Sequence, residues 1–76
     1  MDEKKLVYQI ILDIWNMSKK YIFSEMCDKE WEEMIHEANL KCDVYKEFGE
    51  PAQKLYRDMF LAIETYKESK DKETKL

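Results

Sequence analysis

The chain predicts an all-α fold, an antiparallel three-helix bundle completed by homodimerisation, and three observations carry that expectation. Its 76 residues include a single Gly and a single Pro, so few positions break a helix. Charged residues make up 39% of the chain and 45% is hydrophobic, a mixture rich in good helix formers and poor in strand signals. Apolar residues then recur at helical spacing in three stretches, about 2–23, 28–48 and 51–70. One domain, 1–70, is expected, with 71–76 as a disordered charged tail.

The middle helix is the best delimited. At about 100° per residue, Trp31, Met34, Ile35, Ala38, Cys42, Tyr45 and Phe48 gather into an arc of roughly 140°, the pattern of a helix packed on one side. Asp28 is the expected N-cap, and Glu30, Glu32 and Glu33 follow it where the helix dipole favours carboxylates. At the other end Gly49 suits the left-handed residue that closes a helix. Glu50-Pro51 then forbids continuation and opens the next helix.

Helix one presents a different problem. Leu6, Val7, Tyr8, Ile10, Ile11, Leu12, Ile14, Trp15, Met17, Tyr21, Ile22 and Phe23 cover more than half of its circumference, and only a strip with Gln9, Asp13, Asn16 and Lys20 is dependably polar. A peripheral helix of a small bundle needs an apolar stripe of little more than about 100°. The surplus requires another surface, and a second copy of the chain is the economical one. Tyr8, Ile11, Leu12 and Trp15 are the expected dimer interface.

Helix three places Ala52, Leu55, Tyr56, Met59, Phe60, Ala62, Ile63 and Tyr66 on its inward arc, with Lys54, Arg57, Asp58 and Glu64 outside and Leu61 as an exception. A chain this short buries only about 60% of its unfolded surface, so self-association is a common remedy for its thin stability margin.

Charge is segregated. The net charge is −4, and residues 25–50 hold nine acids and three bases while the rest holds eight acids and ten bases. A general nucleic-acid binder needs a basic face, so direct nucleic-acid binding is not expected. No apolar run approaches the length of about 20 residues that spans a bilayer, and no membrane partner is expected. MDEKK leads into an amphipathic stretch rather than a cleavable apolar one. With Cys27 and Cys42 as reduced thiols, this predicts a cytoplasmic chain.

On the outer side of helix two His36, Leu40 and Val44 stand four residues apart among Glu33, Glu37, Asp43 and Glu47. An apolar stripe with an acidic border is the pattern of a contact site for another chain. All seven residues are the expected partner site; stray surface hydrophobes would look similar.

Chemistry finds weaker support. Glu33 and His36 have the E-x-x-H spacing of di-iron bundles, yet one chain supplies one such pair and both residues fall on the charged side of the wheel. Glu30 with Glu33, and Glu25 with Asp28, have the spacing of magnesium-holding carboxylates, but they are consecutive around one helix start. A single His, no Gly-rich loop and thiols in apolar surroundings argue against catalysis. The expectation is a chain with no enzymatic activity, no catalytic residue, no resident metal and no cofactor. The alternative is a small-ligand- or metal-binding oligomer with its site between subunits.

Leu6-Val7-Tyr8, Asp13-Ile14-Trp15, Trp31-Glu32, Tyr45 and Leu55-Tyr56-Arg57-Asp58, followed by Ile63 and Tyr66, together resemble small helical accessory proteins of phages and mobile elements in low-GC bacteria. That resemblance implies a compact accessory protein acting by binding a host or phage protein, a class that includes inhibitors of bacterial defence systems. It transfers no functional residue.

Overall fold

Helix one starts at Glu3 and its first turn closes where the Leu6 N–H donates to the Asp2 carbonyl at 2.9 Å. The computed structural model describes residues 2–74, and within them lie α1 (Glu3–Met17), α2 (Asp28–Lys46) and α3 (Glu50–Thr74). The three helices pack as an all-α bundle, as expected. Asp13 meets Tyr45 and Lys20 meets Glu37, so α1 and α2 run antiparallel. Lysines near the end of α3 reach the end of helix one, so α1 and α3 run parallel.

Helix one departs from the expected continuous helix. After Met17 the chain makes a π-turn, Ser18–Ile22, with the Ser18 hydroxyl donating to the Ile14 carbonyl at 2.8 Å. Its consequence is rotational. Ile22 stands seven residues after Trp15, so a regular α-helix would place both on one face. The wider turn carries Ile22 inward to 1% exposure while Trp15 stays 49% exposed.

The end of this segment leaves carbonyls without intrahelical partners. Lys67 Nζ donates to the Ser24 carbonyl at 2.7 Å and Lys70 Nζ to the Ile22 carbonyl at 3.2 Å. Two side chains of α3 thereby close helix one. Lys67 is 2% exposed and also meets Asp71 at 3.2 Å.

Helix two begins one residue earlier than expected. Cys27, in extended backbone, is the N-cap, and Asp28 is the first helical residue. The Glu30 carboxylate accepts from the Cys27 backbone N–H and thiol, each at 3.4 Å. The helix closes at Gly49 as expected, with φ at 110°.

Ile10, Ile14, Met17, Tyr21 and Ile22 from the first segment meet Met34, Ala38 and Tyr45 from α2 and Ala52, Tyr56 and Phe60 from α3. Tyr45 and Tyr56 stack with ring centroids 5.5 Å apart. Burying each large side chain here contributes about 1.5–3 kcal/mol.

Several expected inward residues lie outside. Ile35 and Phe48 of the α2 arc are 42% and 45% exposed, and Tyr66 of the α3 arc is 54% exposed; Ala62 is exposed too. Both neighbours of α2 lie toward one side of its wheel, so the flanks of a 140° arc reach past them. Lys67 occupies the interior position that Tyr66 was expected to share, because its ammonium has carbonyl and carboxylate partners there. Glu64, expected outside, is half-buried. Burial raises its carboxyl above the ordinary value, and the nearby Glu68 adds to the shift.

The expected break before residue 71 is also corrected. Helix α3 continues through Thr74, with the Lys67 and Asp71 pair one turn apart. The last two residues of the expected tail lie outside the described residues.

Candidate functional site

The two exposed apolar rows have the same origin, a heptad-like spacing outside the arc that the bundle covers. On α1, Tyr8, Ile11 and Trp15 are 61%, 46% and 49% exposed, and Val7 beside them is 37% exposed. Leu12 is half-buried rather than open. Trp15 continues into Phe23, its ring 6.0 Å away edge-on, and together with Ile63 and Tyr66 they line a groove between helix one and α3. Phe23 and Tyr66, absent from the expected interface, extend the α1 surface.

On α2, Leu40 and Val44 are 53% and 50% exposed. Glu33, His36, Asp43 and Glu47 are exposed around them, and Glu37 is half-buried. The expected partner residues therefore share the outer part of α2, with one modification. Glu37 already accepts from Lys20 Nζ at 2.7 Å, a bond that raises the lysine's pKa. Lys20 is well exposed and the Glu37 side chain is partly so, and solvent therefore leaves this ion pair little to add to stability.

Leu40 and Val44 also form one wall of a groove of about 430 Å³ between α1 and α2. Met17 and Tyr56 line it from the core, and Asp13, Asn16 and Lys20 face Leu40 and Val44 from helix one. Helices α1 and α2 approach each other less closely than either approaches α3, and polar side chains bridge the gap. The Tyr45 hydroxyl donates to Asp13, and Lys41 Nζ lies 3.6 Å from the same carboxylate. Burial, then the hydrogen bond to Asp13, raises the Tyr45 pKa; burial likewise raises that of Tyr56. Both phenols stay protonated. Asp13, Asn16 and Lys41 were missed as site residues because polarity on a wheel does not reveal which neighbouring helix a residue faces.

The thiols separate. Cys27 is exposed, Cys42 is half-buried, and both are free. Burial raises the Cys42 thiol, with Arg57 partly opposing the shift. Glu33 and His36 stand on the exposed surface, and among the described residues no three His, Cys, Asp or Glu side chains gather as a metal-holding group. No helix among the described residues is long and apolar enough to cross a membrane.

Compared with known protein families, curated proteins and solved structures, the chain matches none.

Proposed function

We propose that the chain is a small non-enzymatic interaction module that receives a protein partner on the acidic outer face of α2. The observation that carries this reading is Leu40 and Val44, half exposed side by side, with Glu33, Asp43 and Glu47 exposed around them. Apolar anchors inside a charged border suit a partner that presents apolar side chains flanked by bases. The outer face of α1, with Tyr8, Ile11 and Trp15 and the half-buried Leu12, is the self-association surface in this reading. A cytoplasmic role as a regulator or inhibitor that acts by binding, of the kind phages and mobile elements carry, fits these properties.

The test is the double substitution Leu40→Ser and Val44→Ser. The expected result is an unchanged helical spectrum, a shift in stability within about 0.5 kcal/mol, and weakened complex formation with partners recovered by the unaltered chain. Cooperative unfolding of the variant at markedly lower temperature would assign both residues to the core and remove the site.

A second reading rests on the α1–α2 groove, where Lys20, Lys41 and Asp13 ring an apolar floor. A small ligand carrying both apolar and charged groups would fit there, with a second subunit covering the mouth. Native mass spectrometry of the purified protein separates the readings, since a retained small molecule appears as added mass on the oligomer.

A further inference from the structure

The two rows share their spacing over the first three steps, differ by one residue in the last, and end in opposite charges. Along helix one, Lys4, Tyr8, Ile11 and Trp15 follow four-, three- and four-residue steps, Lys19 follows Trp15 after four more, and all five are exposed. Lys19 Nζ lies 5.8 Å from the centroid of the Trp15 ring, which fixes it at the end of this row beyond the start of the π-turn. Along α2, Glu33, Glu37, Leu40, Val44 and Glu47 alternate four- and three-residue steps. Glu47 keeps right-handed helical backbone at φ −65° and ψ −21°, so the row runs to the cap. At about 1.5 Å per residue the lysines stand about 22 Å apart and the outermost glutamates about 21 Å. Four-three spacing is that of helices that pair along a seam.

We infer that the α2 row of one molecule packs against the α1 row of a second copy. The inference rests on the reading of α2 as a docking face and names the occupant. In either helix direction Ile11 falls opposite Leu40, and a lysine falls opposite a glutamate at both ends. Pairing α1 with α1 would instead bring Lys4 and Lys19 of one copy toward those of the other. The acidic row supplies the charge that the lysine-ended row lacks, and both rows occur on every molecule.

The rows open onto different grooves. Trp15 borders the groove toward α3, whereas Leu40 and Val44 border the groove toward α1. Each copy therefore offers one row of each kind in different directions, and the contact is heterologous, growing head to tail until it closes into a ring or continues.

The experiment uses sedimentation velocity on the whole chain and two charge-reversed variants, Lys4→Glu with Lys19→Glu and Glu33→Lys with Glu47→Lys. Circular dichroism melts verify that each variant folds. The unaltered chain is expected to assemble as its concentration rises, and each variant alone to associate about tenfold or more weakly, because like charges then face each other. An equal mixture of the two variants is expected to associate again, since each retains the row that the other has lost. A monomer at about 100 µM, or a mixture that stays monomeric, overturns the inference. So does an assembly lost only with the lysine changes, which assigns the contact to α1 with α1 and leaves α2 open to a foreign partner. Failure of the α2 docking face itself is read separately, from unfolding of the Leu40→Ser and Val44→Ser variant.

Discussion

Lys67 Nζ sits 2.7 Å from the carbonyl oxygen of Ser24, forty-three residues earlier in the chain. The contact joins the last third of α3 to the point where helix one stops. A nearly fully buried ammonium is tolerated because it has this carbonyl and the Asp71 carboxylate as partners. Replacing it with an apolar side chain of similar length retains packing but leaves the carbonyl without its donor. Lys67→Met is expected to cost about 1.5–3 kcal/mol, measured by urea unfolding. A change below about 0.5 kcal/mol would show that water replaces the ammonium without loss.

The phenol of Tyr45 donates to Asp13 across the looser side of the bundle. Tyr45→Phe should lower stability at neutral pH by about 1.5 kcal/mol, the size of a bond to a charged acceptor. The pH dependence has a definite sign. Tyr45 and Tyr56 both have folded pKa values raised above the ordinary 10.0, so the folded state holds these protons more tightly than the unfolded state. Their contribution is complete below about pH 10 and declines as the pH rises from there toward the folded values. Alkaline titration followed by tyrosinate absorbance and helicity should show a shallower loss of stability in the Phe variant.

Gly49 makes the turn between α2 and α3 with φ at 110°. An added Cβ would come no closer than 3.7 Å to Pro51 Cδ, so backbone conformation rather than crowding requires glycine. Gly49→Ala is expected to cost about 1–2 kcal/mol in thermal or urea unfolding. Were stability unchanged, the turn would have relaxed to a different conformation.

The two thiols should react at different rates. Cys27 is exposed at the start of α2, whereas Cys42 is half-buried and its pKa is raised chiefly by desolvation. Brief treatment with a maleimide should label Cys27 first, with Cys42 following slowly. Peptide mass spectrometry reports the order, and equal labelling would mean that α2 opens readily at Cys42.

Core and surface rows should separate cleanly. Ile10 is 0% exposed and Leu40 is 53% exposed. Ile10→Ala is expected to cost about 2–5 kcal/mol in urea unfolding, while Leu40→Ser stays within about 0.5 kcal/mol. A comparable loss at both positions would place Leu40 in the packed interior.

Helix existence was legible from particular residues. Gly49 and Pro51 mark one turn because their backbone preferences act locally, and Met34, Ala38 and Tyr45 identify the buried centre of α2 through spacing alone. The expected contact residues on α2 do share its outer part for the same reason. Ile35, Phe48 and Tyr66 were misplaced because a wheel shows which residues share a face, not where a neighbouring helix ends.

Local sequence by itself determined three helices, the glycine turn and an α1 more apolar around its circumference than two neighbours can cover. These follow from propensity and periodicity, which act over a few residues. Tertiary structure decided the π-turn that brings Ile22 inward, the burial of Lys67, the continuation of α3 through Thr74 and the loose, polar-bridged approach of α1 to α2. Each depends on groups far apart in the chain, and helical periodicity carries no record of which distant carbonyl or carboxylate will satisfy a side chain.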